Sequence, residues 1–204
     1  MKGCRPLSKE EVFKVIESFS GYMRLRNQAL FVFGCCTGFR ISELLSITRG
    51  DVIGKDGKLF DCVTVRKALM KGQYDSRTVH MTASAKRYLL PWLQEQEQRG
   101  HILLNTPLFC RNGGGRWDRV NAWRTLRNAY ARAGLSGKVA THSMRKTFAN
   151  GIYDFYEGRK DAMRITAKAM GHKSLDSTDK YLSFLDEDVT IAIDHIGKIL
   201  ENWD

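Results

Sequence analysis

The chain has 204 residues, of which 33 are lysine or arginine and 22 are aspartate or glutamate, giving a formal net charge of +11. This length suits one domain with a well-formed core, or at most two small ones, and 43% hydrophobic residues is ordinary for a globular fold. The sequence holds no apolar run near the roughly 18 residues of a membrane span, and five cysteines without a CxxC pair argue against a disulfide framework or a zinc ribbon.

The first part of the chain has the pattern of helices. Ser8 and Glu11 have the spacing of a capping box, which predicts that a helix begins there. A second helix is expected over residues 22–36, and because its end is apolar nearly all round, it should lie at the centre of the fold. Gly38 ends this helix, and a short helix over residues 40–44 follows.

The pattern then changes to that of strands. Residues 59–65 and 78–81 are rich in strand-forming residues and are separated by the polar turn MKGQYDS, which predicts an antiparallel hairpin with a short third strand. Helices are expected again over residues 82–99, 120–132, 142–156, 161–170 and 188–203. The chain is therefore predicted to be mainly α-helical with a small antiparallel sheet, an α+β fold in a single domain.

Charge is distributed unevenly along this domain. Residues 111–146, called here the basic segment, contain nine lysines or arginines and one acid, whereas residues 185–204 contain six acids and one lysine. A basic surface of this kind favours a polyanion such as nucleic acid, because binding releases counterions. The alternative is a solvated charged face on an ordinary protein. If the basic segment binds DNA, Arg116, Arg119 and Lys146 are its candidate contacts.

Four separated segments carry the residues suited to chemistry. They are, in chain order, TGFRISELL at 37–45, Lys71 and Gly72 in the hairpin turn, HSMR at 142–145, and GHKSLDSTDKY at 171–181. This set resembles the catalytic domain of the tyrosine recombinases of the lambda-integrase type, which shows TGxRxSEL, a hairpin lysine, HxxR and GHxSxxxTxxY in this order. The resemblance runs from about Leu7 to beyond Tyr181. Each segment alone is a weak signal, but all four in order are specific.

The resemblance implies a fold, a reaction and a set of residues. It implies the tyrosine recombinase catalytic-domain fold and a site-specific recombinase that cleaves and rejoins double-stranded DNA through a 3′-phosphotyrosine link, without ATP. It also implies a homotetramer on synapsed DNA and no cofactor. The residues that match the catalytic set are Arg40, Lys71, His142, Arg145, His172 and Tyr181.

The roles of these residues agree with their chemistry. Two guanidinium groups, Arg40 and Arg145, can clamp the charge that builds on a phosphodiester under attack. Tyr181 is the candidate nucleophile, and a free tyrosine with a pKa of about 10 needs cationic surroundings and a proton acceptor. Arg40 could instead form only an ion pair with Glu43 one turn further on. Within the motif, Glu43 is expected to support the helix or Arg40 rather than to react.

The remaining catalytic candidates move protons or bind phosphate. A lysine at a hairpin tip can protonate the leaving 5′-oxygen, and both Lys67 and Lys71 are candidates, of which Lys71 beside Gly72 fits the turn better. His142 and His172 can hydrogen-bond the scissile phosphate, and His142 is a candidate base for the tyrosine hydroxyl. A metal site is not expected, because the acids do not cluster at ligand spacing.

The resemblance also raises expectations about the whole protein. Relatives usually carry an N-terminal helical domain that closes around DNA and is missing here, so the chain is expected to be a catalytic core over about 7–184 with a C-terminal helix in 185–204. It is expected to be either an excised catalytic fragment or a naturally short recombinase. That helix carries an apolar stripe and is expected to dock on a neighbouring protomer. A cytoplasmic location is expected, since the N-terminus lacks an apolar signal core. The rival functions are a type IB topoisomerase and a DNA-binding regulator without activity.

Overall fold

A computed structural model describes residues 3–66, 76–172, 174–179 and 182. Several predictions from the sequence concern residues outside this part: the candidate acids Lys67 and Lys71, the candidate nucleophile Tyr181, and the C-terminal helix. Within the described residues, none of the helices combines the length and apolar character that crossing a membrane requires.

The first helices agree with the sequence patterns. Helix α1 spans Lys9–Ser18, and both bonds of the predicted capping box between Ser8 and Glu11 are present. Helix α2 spans Arg24–Thr37 and ends at Gly38, whose φ of 61° lies in the left-handed region that favours glycine. The short helix α3, Ile41–Leu44, follows directly. A 3-10 turn at Arg49–Asp51 was not predicted.

The predicted hairpin is present as two short strands, β1 at Cys62–Val65 and β2 at Arg77–His80. They pair antiparallel, with Cys62 opposite His80 and Val65 opposite Arg77. The expected third strand is wrong for the described residues, because Ile53 and Leu59 form only an isolated bridge there. The stretch before β1 thus folds back through a single bridged pair and is too short to extend the sheet.

The later helices confirm the predicted periodicity to within a residue or two. They are α4 at Ala83–Gln98, α5 at Arg119–Arg132, α6 at Thr141–Phe155, α7 at Ala162–Met170 and α8 at Leu175–Asp179. The last of these, α8, was not predicted, because five residues are too few to show a helical period. The described part is therefore mainly α-helical with one small antiparallel sheet, as expected.

Helix α2 lies at the centre of the core, as its apolar end indicated. Leu30, Phe31 and Phe33 are fully buried, and α2 packs against both α4 and α6. The contact with α6 is close, since a Cβ added to Gly34 would lie 2.7 Å from the sulfur of Met144. A second, smaller apolar cluster joins Ala149 of α6, Met170 of α7 and Leu182. The C-terminal ends of α2 and α7 are thereby brought to one place beside α6.

Candidate active site

Two helix ends form the frame of the site. Helix α2 ends at Gly38 and helix α7 ends at Gly171, with φ values of 61° and 68°. Both glycines fall within predicted motifs, and the left-handed turn after each helix leads directly to Arg40 or His172. The last carbonyl groups of a helix carry partial negative charge, which favours cations near them. The frame therefore suits the guanidinium groups that lie against it.

Arg145 of α6 occupies the space between these two ends. Its side chain is 1% exposed. One terminal nitrogen donates to the carbonyl oxygen of Gly38, and the other donates to the carbonyl oxygen of Met170 at 3.0 Å and to Nε2 of His172 at 2.8 Å. The predicted motifs at 37–45, 142–145 and 171–181 thus meet at one side chain.

The contacts of His172 identify its tautomer. A guanidinium can only donate, so Nε2 of His172 accepts from Arg145 and the ring proton is on Nδ1. Nδ1 lies 2.9 Å from the hydroxyl oxygen of Thr178, to which it donates. Burial, together with the positive charges of Arg145, Arg40 and Arg77, lowers the pKa of His172 to about 4, so this imidazole is neutral at pH 7.

Arg40 and Glu43 form the other side of the arrangement. The backbone N–H of Arg40 donates to one carboxylate oxygen of Glu43 at 2.7 Å, and its guanidinium donates to the other oxygen, also at 2.7 Å. Glu43 is fully buried, whereas the Arg40 side chain is 28% exposed. The ion pair expected from the spacing is thus present, and its geometry orients an accessible guanidinium while Glu43 supports α3.

His142 lies on the open side of the same region. It is exposed in the first turn of α6, one turn before Arg145. With Arg119 and Trp123 of α5, it lines a cleft of about 320 Å³ whose floor includes Ile41, the residue after Arg40. The structure therefore brings a predicted DNA contact, Arg119, beside a predicted catalytic histidine.

The other two predicted DNA contacts lie in different places. Arg116 is exposed and lines a separate cleft of about 450 Å³ with Thr64 and Arg66 near β1. Lys146 follows Arg145 in α6 and is partly exposed. The three predicted contacts thus do not share one cleft. Lys71 and Tyr181 lie outside the described residues, but the next residue after Tyr181, Leu182, is buried against Ala149 and Met170.

Two side chains of this region had no role assigned from the sequence. Thr178 is fully buried and accepts the Nδ1 proton of His172. Arg77, at the start of β2, is 5% exposed and donates to the carbonyl oxygen of Thr37 at 2.6 Å. Thr178 could have been found, because it is the threonine of the matched GHKSLDSTDKY segment. Arg77 begins a basic-then-apolar strand of the kind that follows the hairpin lysine in the family, but the sequence does not predict that its side chain is buried.

Acidic and sulfur-containing side chains do not form an ion site in the part of the chain that the structure describes. No group of three or more His, Cys, Asp or Glu residues is arranged there to hold a metal ion.

Comparison with known proteins yields a family and a set of related folds. A model of the phage integrase family matches residues 6–187. The tyrosine recombinase XerD of Mycobacterium leprae is 31% identical over 87% of the chain, which covers 56% of that relative. The Bacillus subtilis protein named "Probable integrase/recombinase YoeC" is 27% identical over 92% of the chain, and 93% of that protein is covered. The chain thus spans about half the length of XerD.

Solved structures agree with this grouping. One of them is the XerH site-specific recombinase in a post-cleavage complex with a palindromic difH substrate. It matches with a TM-score of 0.72 and 26% identity, over 92% of this chain and 51% of that one. XerA recombinase also has a TM-score of 0.72, with 24% identity, 96% of this chain and 64% of that one covered, which shows a shared fold. Because the family model matches nearly the whole chain, and a relative named as a tyrosine recombinase is 31% identical to it, the chain belongs to the phage integrase family of tyrosine recombinases.

Proposed function

We propose that this chain is the catalytic part of a site-specific DNA recombinase, which cuts a DNA strand by attack of Tyr181 and later reseals it. The observation that carries the proposal is the meeting of Arg40, Arg145 and His172 at the ends of α2 and α7. This arrangement places positive charge and an oriented imidazole in one place. Leu182, the residue that follows Tyr181 in the chain, is buried in the same apolar cluster as Met170 at this end of α7.

The phosphate-binding roles follow from exposure and hydrogen bonding. Arg40 is the more accessible guanidinium, so a DNA phosphate meets it first, while Glu43 holds it in orientation. Arg145 is buried and holds His172 through Nε2. A phosphate that enters the site competes for the Arg145 donors and releases Nε2, and its negative charge raises the pKa of His172, which can then donate to a phosphate oxygen.

The covalent step balances without any further reagent. The phenolic oxygen of Tyr181 bonds to phosphorus, its proton passes to a base for which exposed His142 is the candidate, and the bond from phosphorus to the 5′-oxygen breaks. Lys71 gives the leaving 5′-oxygen a proton. In resealing, a 5′-hydroxyl attacks the phosphotyrosine and restores Tyr181, so the phosphoester bond is kept and no nucleotide cofactor is used.

Partners are proposed from the relatives. XerH is described on its difH substrate and a lambda integrase is described as a tetramer on a Holliday junction. We therefore propose double-stranded DNA at a specific site as the substrate, and a homotetramer as the active assembly. Arg119 of α5, exposed beside His142, supports a DNA face on this side. We also propose that the protein acts in the cytoplasm, on DNA of the nucleoid.

The test is capture of a covalent adduct from a pool of nicked duplexes with randomised flanks. The nick lets the short cleaved fragment diffuse away, so the phosphotyrosine accumulates and the protein-linked DNA can be recovered after denaturation and sequenced. We expect adducts enriched for one sequence. Tyr181→Phe should abolish them and leave DNA binding nearly unchanged, because the substitution removes a nucleophile and no charge.

Each other result would contradict the proposal in a recognisable way. Adducts without sequence enrichment, together with relaxation of supercoiled plasmid, would indicate topoisomerase activity. Enrichment of bound but never linked DNA would indicate a regulator without activity. Adducts that persist in Tyr181→Phe would show that another residue is the nucleophile.

A further inference from the structure

Arg77 lies between the two helix ends that frame the site. It begins β2, and its guanidinium donates through Nε to the carbonyl oxygen of Ala169 at 3.0 Å. Its terminal nitrogens donate to the carbonyl oxygens of Thr37 at 2.6 Å and Gly38 at 3.4 Å. One side chain from the hairpin therefore joins the end of α7 to the end of α2.

Arg77 also packs against the residues that precede Arg40 and His172, the two candidates for phosphate binding. Its guanidinium carbon lies 4.8 Å from the ring centre of Phe39, the residue before Arg40. A Cβ added to Gly171, the residue before His172, would lie 2.9 Å from Cδ of Arg77. A displacement of Arg77 would therefore move the backbone at both positions.

The charge of Arg77 also acts on the site. Burial, with the neighbouring charges of Arg145 and Arg40, lowers the pKa of Arg77 to about 9, so it remains a cation at pH 7. The acceptors described for its donors are backbone carbonyl oxygens, which satisfy the hydrogen bonds but do not neutralise a full charge. The site thus holds a third guanidinium charge, and it contributes to keeping His172 neutral.

We propose that Arg77 is a positioning residue of the DNA-cleaving site: by tying Thr37 and Ala169 to β2 it sets the spacing between Arg40 and His172. The inference rests on the proposed function, but its contact with the His172 segment exists in the protein without DNA. It requires the planar fork of a guanidinium, because the acceptors come from the ends of two separate helices. The same contacts connect the site to β2, the strand that follows the Lys71 segment in the chain.

Three variants separate positioning from general stability. Arg77→Gln removes both the charge and the fork, and Arg77→Lys keeps a cation without the fork. Arg26→Lys is the matched control, because Arg26 is equally buried, donates to the carbonyl oxygen of Cys110 and stacks on Trp117 at 3.5 Å. Arg26 is about 18 Å along α2 from Gly38, at 1.5 Å per residue.

The first measurement is single-turnover cleavage of the nicked substrate, with DNA affinity and Tm recorded for each variant. We expect both Arg77 variants to cleave roughly 100-fold more slowly, the size of effect that a misplacement of about 1 Å produces. DNA affinity should change little, because the accessible cations remain. Arg26→Lys should cleave at the wild-type rate even where its Tm falls equally. If Arg77→Gln does not fold, the cleavage rate of Arg77→Lys is compared with that of Arg26→Lys instead.

The second measurement is the NMR titration of His172 in the DNA-free protein, with its signal assigned from His172→Gln. The pKa of His172 should rise in Arg77→Gln, because a positive charge is lost, and stay low in Arg77→Lys. Equal cleavage losses for the Arg77 and Arg26 variants at equal Tm, or an unchanged titration in Arg77→Gln, would overturn the inference. A wild-type protein that forms no adduct would refute the proposed function, while the titration would still decide whether Arg77 acts on His172.

Discussion

The Arg145 guanidinium lies where acceptors from two loops converge, and this explains why an arginine is needed there. It donates to the carbonyl oxygens of Gly38 and Met170 and to the ring of His172. A lysine has a single ammonium and cannot reach acceptors on both sides in a plane. Arg145 therefore has a structural task before any phosphate is bound, and it is nearly as buried as the core side chains.

The candidate general acid can be tested at the same scale. If Lys71 protonates the leaving oxygen, Lys71→Ala should cleave an ordinary nicked strand roughly 100-fold to 10,000-fold more slowly. A strand with sulfur at the 5′-bridging position should be cleaved at close to the wild-type rate, because a thiolate leaves without protonation. Single-turnover rates on the two strands are the measurement. Equal losses on both would assign Lys71 to phosphate binding, and Lys67→Ala would then be examined as the acid.

At the scale of elements, the approach of α6 to the end of α2 controls where Arg145 lies. Gly38 has φ of 61°, and a Cβ there would lie 2.3 Å from the ring of Phe148 on α6. Arg145 is one turn before Phe148 on the same helix. A side chain at position 38 would therefore push α6 away and break the bond from Arg145 to the Gly38 carbonyl oxygen.

This contact predicts a large effect for Gly38→Ala. Backbone strain from a left-handed alanine costs about 1–2 kcal/mol, and overpacking against a ring adds roughly 1–3 kcal/mol. Gly158→Ala is the control, because Gly158 has φ of 81° but open space around its Cβ position, so only the strain is expected. Urea unfolding should show that Gly38→Ala lowers the free energy of unfolding more than Gly158→Ala does. An equal decrease in the two variants would mean that Phe148 moves and relieves the close approach.

Helix α5 carries exposed arginines, of which Arg119 lies beside His142. Arg119, Arg124 and Arg127 are exposed along it. Contacts to the phosphate backbone of DNA do not depend on the base sequence. Replacing these arginines should therefore weaken binding to specific and random DNA alike.

The corresponding prediction concerns Arg119→Ala, with Arg116→Ala compared beside it. Each should reduce the slope of log affinity against log salt concentration by about 1, as expected for one lost phosphate contact. Arg159→Ala is the control, since Arg159 is exposed and already paired with Asp161 at 2.8 Å. Affinity measured over a salt series decides the matter. A slope unchanged in both variants would show that neither arginine contacts the DNA backbone.

At the scale of the whole molecule, the proposed homotetramer leads to a prediction about the C-terminal helix. The sequence predicts an apolar stripe on a helix within 188–203, which lies outside the described residues. Such a stripe must be buried, either on its own domain or on a neighbouring protomer. Exchange between neighbours in a ring would make the segment just after Tyr181 depend on a partner.

Deletion of residues 189–204 tests that exchange. We expect one protomer to keep its Tm and its affinity for one half-site, while synapsis and coordinated cleavage of paired sites are lost. Native gels of synapsed DNA, together with adduct formation on single and paired sites, provide the measurement. An isolated monomer that unfolds on deletion would show that the helix belongs to its own core.

The sequence alone determined those features whose causes lie within a few residues. The capping box of Ser8 and Glu11, the end of α2 at Gly38 and the ion pair of Arg40 with Glu43 were all predicted, because each depends on spacings of three or four residues or on one glycine. The order of the motifs was enough to predict the family.

Only the tertiary structure decided which groups meet across long separations in sequence. The burial of Arg145, the tautomer of His172 and the position of Arg77 depend on contacts between residues that lie at least 25 positions apart in the chain. A hydrogen bond from a guanidinium to a carbonyl leaves no pattern in the sequence, because every residue has a carbonyl group. The expected third strand failed for a related reason, since strand pairing is decided by neighbours in space rather than by local propensity.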